Sequence, residues 1–235
     1  MKIPISKRLL CCAGFVEPGA RVADIGTDHG YLGIYLLKNG AAQYVTACDL
    51  RPLPLQNARE NAERFGVGTQ MEFLLSDGLE RVAPEKIDTV VCAGMGGDLI
   101  VRILEACAWI RNPNYRLVLQ PQSAGQALRL WLAENGFLMQ RETLVQDGSF
   151  LYTVLTAQWD GEKRTLSPGE QFVSPMLRAE KGPLLDAYLQ RVENALRATV
   201  DGLRSAEHPR PERLAYHEAA LHEIEEMRER HAESQ

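Results

Sequence analysis

The sequence predicts an α/β protein: a seven-stranded sheet flanked by helices and closed by a terminal antiparallel hairpin, with a C-terminal α-helical hairpin after it. Three observations carry that expectation. Up to about residue 160, short apolar runs rich in β-branched residues alternate with helix-like stretches. Near residue 136 the alternation stops, and two strand-like runs follow one another directly. Beyond residue 182, apolar residues recur at spacings of three and four.

The five leading strand-like runs are Val22–Ile25, Tyr44–Asp49, Met71–Leu75, Thr89–Ala93 and Arg116–Leu119, each ending at a turn signal. Between them lie the helix-like stretches Gly30–Asn39, Leu53–Phe65, Asp98–Ala108 and Ser123–Asn135. Such alternation builds βα units and a parallel sheet covered on both faces. Gly136–Leu144 and Phe150–Gln158 are separated only by Val145-Gln-Asp-Gly-Ser149, so they form a hairpin whose last strand is antiparallel to its neighbour. A nicotinamide-binding doubly wound sheet continues at this point with another βα unit. A seven-stranded sheet ending in a hairpin is instead the Rossmann-like architecture of class I S-adenosylmethionine-dependent methyltransferases.

From Trp159 to Gly182 the chain becomes a polar connection containing glycine and proline. Leu185, Leu189, Val192, Leu196, Val200 and Leu203 then form one stripe of an amphipathic helix. His208-Pro-Arg-Pro211 breaks it, with Pro211 placed to open a second helix striped by Leu214, His217, Leu221 and Ile224. The two helices pair as an antiparallel, coiled-coil-like hairpin, either a structural brace or dimer contact, or an arm for substrate. The expected division is a catalytic unit over 1–160 and a helical unit over 161–235.

Composition narrows the class. Hydrophobic residues make up 45% and charged residues 24%, ordinary values for a globular chain. No run reaches the length of a membrane helix, and the opening MKIPISKRLLCC lacks the apolar region and cleavage site of a signal peptide. Cys11, Cys12, Cys48, Cys92 and Cys107 show no C-x-x-C pairing, and most sit in apolar runs. These features predict buried, reduced thiols in a cytoplasmic protein. His217 and His222 are five apart and off a common helical face, so no metal site is expected. The net charge of −5, and 11 Lys and Arg against 14 Asp and Glu beyond residue 160, exclude a generally basic surface. They leave room for a local phosphate-binding patch.

The chemistry concentrates at strand ends. After the first strand the chain reads Asp24-x-Gly26-x-Asp28-x-Gly30, with an aspartate where a nucleotide-binding loop usually carries its middle glycine. A loop serving a pyrophosphate offers backbone N–H groups to an anion, and a carboxylate would repel it. A sulfonium and an ammonium are cations, so Asp28 suits S-adenosylmethionine. Its alternative role is to cap the helix that begins near Gly30, and the two roles are compatible. Asp49 ends the second strand, where a carboxylate accepts both hydroxyls of a ribose. Asp77 and Gly78 follow the third strand, as acceptor and access for an adenine or as an ordinary Asp-Gly turn. Gly94, Gly96 and Gly97 in "CAGMGG" make an open backbone beside the transferred methyl. Gln120 and Gln122 in "LQPQS" end the fifth strand, where their amides read the edge of a base or cap the next helix.

Taken together, "ISKRL", "ADIGTDHGYL", "LSDGL", "CAGMGG", "LQPQ" with "LRLWLAENGF", and the helical tail resemble the bacterial TrmK family, the tRNA (adenine(22)-N1)-methyltransferases. The resemblance covers nearly the whole chain. It implies methyl transfer from S-adenosylmethionine to N1 of adenosine 22 in tRNA. The implied cofactor site is Gly26, His29, Gly30, Tyr31, Asp49, Asp77, Gly78 and the turn Ala93, Gly94 and Met95, with Asp24 at its base. Asp28 is the implied catalytic residue, and Lys7 and Arg8 lie near the active-site mouth. The tail departs from the family in being less basic.

Adenine N1 already carries a lone pair, so the reaction needs proximity and orientation more than a base. A carboxylate at Asp28 can accept from the N6 amino group and offset the positive charge that forms on the ring. The adenosine must be extruded from its stack. Lys7, Arg8, Arg51, Arg178, Lys181, Arg210 and Arg213 are the candidate contacts to a structured RNA, each also readable as a solvated charge. The expected partner is tRNA, with the chain a monomer. Two other readings share this fold: methylation of a small molecule or protein, and a non-catalytic binding module.

Overall fold

The computed structural model describes residues 2–180, 182–208 and 210–233. Seven strands form one sheet in the order β3-β2-β1-β4-β5-β7-β6. They are β1 (Ala20–Ile25), β2 (Ala42–Asp49), β3 (Met71–Leu75), β4 (Thr89–Met95), β5 (Arg116–Pro121), β6 (Phe137–Asp147) and β7 (Phe150–Trp159). β1 to β5 pair in parallel, and β7 runs antiparallel to both β5 and β6, as the missing helix between the last two runs requires.

The central strands are apolar along their length because helices cover both faces. On one face, Leu104, Leu117, Leu128 and Phe137 share a buried cluster; on the other, Ile34, Leu36, Val45 and Val118 do. The covering helices are α1 (Lys7–Ala13), α2 (Tyr31–Lys38), α3 (Pro52–Arg64), α4 (Gly97–Glu105) and α5 (Gly125–Glu134). α1 was not legible as an apolar stripe. Its signal is Ser6, whose hydroxyl caps the helix by accepting from the Leu9 amide at 3.4 Å.

The stretch expected to be a polar connection is instead packed structure. It contains two short helices, α6 (Pro168–Phe172) and α7 (Pro175–Ala179), each started by a serine cap followed by proline. Gln171, Val173, Ser174 and Leu177 are buried there. The tail follows as α8 (Pro183–Arg204) and α9 (Pro211–Glu233), and Pro211 opens α9 as expected. Ion pairs Glu193–Arg228, Arg197–Glu225 and Arg204–Glu218 run in descending register, so the two helices are antiparallel. Their apolar stripe shares a cluster with Leu144 of β6, which seats the tail on the far edge of the sheet.

A buried polar knot reinforces this junction. Arg129 of α5 donates to Glu142 of β6 at 2.6 and 3.0 Å and to the Gln171 carbonyl at 2.9 Å. Burial opposes the charge on Arg129, but the Glu142 carboxylate outweighs it and raises the guanidinium pKa. Tyr216 of α9 donates to the Gln171 side chain at 2.7 Å.

Candidate active site

The β1–α2 loop turns on three left-handed residues, Gly26 (φ 72°), Asp28 (φ 51°) and Gly30 (φ 73°). Asp28 and Ala124 are the described non-glycine residues with positive φ, and aspartate tolerates that region better than most side chains. The loop is pinned from several sides. The amides of Gly26 and Thr27 both donate to the Cys48 carbonyl at 2.9 Å, and Asn61 Nδ2 donates to the His29 carbonyl at 2.9 Å. These surrounding bonds hold the strained turn in place. The Asp28 side chain is 64% exposed, and His29 Nε2 lies 3.7 Å from its Oδ2. α2 is capped by Gly30 with no side-chain cap bond, so the capping alternative for Asp28 is set aside. His29 stacks on Tyr31 with ring centroids 5.7 Å apart.

Two further carboxylates lie beneath. Asp49 is buried and accepts from the Asp28 amide at 3.3 Å and the Arg51 amide at 3.0 Å. A carboxylate has about four acceptor positions, so capacity remains for ribose hydroxyls. Asp24 is fully buried and accepts from the Thr27 hydroxyl at 2.7 Å. Burial is the main cause that pushes its pKa up to about 6; the Thr27 bond works against it and Asp49 adds to it.

The opposite wall comes from α1 and the ends of β4 and β5. Arg8 Nη1 donates to Gln120 Oε1 at 3.0 Å, and the Gly94 amide donates to the same oxygen at 3.0 Å. A Cβ on Gly94 (φ 80°) would lie 2.9 Å from Arg8 Nη1. The Arg8 amide also reaches Asp147 Oδ2 at 3.4 Å. Arg8, Asp24, Gly26, Thr27, Asp28, His29, Tyr31, Ala93 and Gly94 thus line one cleft of about 140 Å³. Met95 closes against it, its Cε lying 3.0 Å from where a Cβ on Gly26 would sit.

Several predicted residues stand elsewhere or act differently. Gln120 is fully buried: its Oε1 accepts from Arg8 and the Gly94 amide, and its amide nitrogen donates to the Pro121 carbonyl at 3.0 Å, so it positions Arg8 and is closed off from a base. Gln122 is exposed, in a neighbouring groove. Gly97 is packing rather than open backbone, since a Cβ there would meet the Ala124 carbonyl oxygen at 2.3 Å. Gly30 is likewise buried against Ala58. Asp77 lines a separate hollow of about 370 Å³ and faces Arg102 at 3.9 Å, while Gly78 takes φ 54° against Ile103. Lys7 is exposed on α1, outside the cleft lining. Arg51 is 73% exposed beside Asp49, Arg178 is paired with Glu170, and Arg210 and Arg213 are exposed. Lys181 lies outside the described residues.

Sequence reading missed Thr27, Asn61 and Asp147, whose roles depend on partners across the fold. It also missed Leu50, which is 62% exposed directly after Asp49.

Strand order, a glycine–aspartate loop at the carboxyl edge and an acidic second strand define a class I methyltransferase domain. A family model described as "Methyltransferase domain" matches residues 5–155. The tRNA (adenine(22)-N(1))-methyltransferase of Bacillus subtilis (strain 168) is 33% identical over 187 residues, 77% of each chain. The solved structure of the B. subtilis m1A22 tRNA methyltransferase TrmK superposes with a TM-score of 0.86 at 27% identity, covering 97% of this chain and 100% of that one. M. capricolum TrmK, solved with the cofactor product S-adenosyl-homocysteine, gives 0.79 at 26% identity over 96% and 98%. The chain belongs to the TrmK family of tRNA (adenine(22)-N1)-methyltransferases.

Proposed function

We propose that this chain transfers a methyl group from S-adenosylmethionine to N1 of adenosine 22 in tRNA. The observation that carries the reading is Asp28, an exposed carboxylate held in a left-handed turn above two buried ones, in a chain of this family.

The residues fit the cofactor. Glycine at 26 and 94 keeps the cleft floor free where a Cβ would meet Met95 or Arg8, and the unused acceptor positions of Asp49 suit a ribose. Gly26, His29, Gly30, Tyr31, Asp49, Ala93, Gly94 and Met95 would hold it, with Asp24 below and Asp77, Gly78 and Leu50 toward its adenine. When bound, S-adenosylmethionine supplies an electrophilic methyl on a sulfonium. Asp28 accepts from the target adenine's N6 amino group, orients N1, and offsets the positive charge that develops on the ring. Arg8, fixed by Gln120, presents its guanidinium at the mouth of the cleft toward the nucleotide's phosphate, with Lys7 beside it.

The reading extends to a monomeric, cytoplasmic enzyme whose catalytic unit spans 1–160 and whose helical unit spans 161–235. No described helix is long and apolar enough to cross a membrane. Labelled S-adenosylmethionine incubated with unmodified bacterial tRNA transcripts tests the function. The expected product is 1-methyladenosine, lost when adenosine 22 is replaced; transfer to none of the transcripts, with cofactor binding intact, rejects it.

A further inference from the structure

Most basic side chains of the tail are already neutralised. Arg178 pairs with Glu170, Arg197 with Glu193 and Glu225, Arg204 with Glu218, Arg228 with Glu193, and Arg230 with Glu226. Arg191 differs. Among the described residues no carboxylate pairs with it; its guanidinium lies 5.0 Å over the Tyr188 ring and donates to the Leu151 carbonyl at 2.7 Å.

Arg191 forms one wall of a groove of about 260 Å³ between the sheet and α8. The loop at Gln122, the first residues of β7, Phe172 of α6 and Tyr188 and Val192 of α8 complete it. β5 pairs with β7 only from Leu155 onward, so the leading stretch of β7 has a strand neighbour on one side alone. Phe150 on that stretch is 64% exposed. Its ring lies 6.2 Å from that of Tyr152, two residues on and therefore on the same strand face. An exposed Phe150 and a half-buried Tyr152, beside a guanidinium with no carboxylate partner and an exposed amide, suit an unpaired nucleotide. The base stacks on a ring face and the phosphate meets the arginine.

The groove adjoins the active-site cleft. Phe150 is the cross-strand partner of Asp147, which accepts from the Arg8 amide, and the Gln122 amide donates to the Met95 carbonyl at 2.9 Å. A peptide strand added along β7 fits less well, because Arg191 already takes the Leu151 carbonyl.

We propose that this groove is a second nucleotide subsite, holding a single-stranded nucleotide of the tRNA near the target adenosine. It rests on the reading of the chain as a tRNA methyltransferase. The acidic tail then grips RNA through Arg191 where it meets the sheet, without a broadly basic surface.

The test uses the full chain and an unmodified tRNA transcript. Phe150→Ala and Arg191→Gln are compared with wild type and with Phe150→Trp and Arg191→Lys. Thermal midpoints and S-adenosylmethionine affinity verify that each variant is folded. Phe150→Ala and Arg191→Gln should each raise KM for tRNA by about fivefold or more, with kcat within about twofold. The Trp and Lys variants should stay near wild type. Arg191→Gln should also reduce the slope of log K for tRNA against log salt by roughly 0.7 to 0.9, the signature of one lost phosphate contact. Unchanged KM and salt slope in folded Phe150→Ala and Arg191→Gln would overturn the subsite, assign the groove to another partner, and leave the methyltransferase reading intact. A wild-type chain that binds S-adenosylmethionine but modifies no tRNA would overturn both.

Discussion

The backbone amide of Asp28 donates to Oδ2 of Asp49 across 3.3 Å, although the two residues stand 21 positions apart, one in the loop after β1 and the other at the end of β2. That bond makes the proposed catalytic carboxylate and the proposed ribose acceptor one mechanical unit. It also explains how an aspartate is kept at φ 51°: the bond to Asp49 and the two amide bonds to Cys48 together exceed the strain of the turn.

Replacing Asp28 by asparagine isolates its charge, because asparagine also tolerates the left-handed turn. The expected outcome is a kcat lower by about 10²-fold or more, with S-adenosylmethionine affinity within a few fold of wild type. Single-turnover methyl transfer and calorimetric binding measure the two separately. Unchanged turnover rejects the role.

Asp24 sets a pH dependence. Both folded and unfolded chains hold its proton below the ordinary value of 3.8; between there and about 6 the folded chain alone holds it. Unfolding free energy therefore falls as pH rises through that window and stays lower above it, by on the order of 3 kcal/mol. Asp24→Asn should remove this part of the slope and stabilise the neutral-pH protein, as read by urea denaturation across the window. A cationic ligand favours the ionised carboxylate, so S-adenosylmethionine affinity should weaken as pH falls through about 6. Affinity that is flat across that range would contradict Asp24 as part of the cofactor site.

Gly97→Ala should destabilise the protein by about 3 kcal/mol, since the new methyl meets the backbone oxygen of Ala124 at 2.3 Å and no flexible side chain can yield. Thermal unfolding checks it. A neutral result would show that the α4–α5 junction gives more freely than its hydrogen bond from the Gly97 amide to the Ser123 carbonyl suggests.

Arg129→Met should lower stability by about 3–5 kcal/mol, because it strands the fully buried Glu142 carboxylate. The double variant Arg129→Met with Glu142→Leu should recover most of that loss. Denaturant midpoints of the single and double variants decide the matter; equal destabilisation in both would mean the knot contributes through shape and not charge.

The sheet was legible because its signals are local. β-branched runs ending at turn signals mark the five parallel strands to within a few residues, and the absent helix before Phe150 reveals the antiparallel close. α6 and α7 were passed over because a five-residue helix has no room for an apolar stripe. Their mark is the repeated Ser-Pro start, at Ser167 and Ser174. Asp24, Gly26, Asp28 and His29 are readable as a group because one short stretch, the end of β1 and the turn after it, carries them all.

Long-range pairing was not legible. Arg8 meets Gln120 across 112 positions and Asp147 across 139, and no spacing rule links such residues. Sequence alone leaves Gln120 as either a base reader or a helix cap; burial makes it a strut for Arg8, because a side chain with no exposed surface cannot meet a ligand. In the same way, the tail's charge count was plain from composition. Only the packing of α8 against α9 and the sheet decided which arginines are spent on carboxylates and that Arg191 is left to face a groove. Local patterns determine where the chain turns and which face it buries; the company each polar group keeps is decided by tertiary contact.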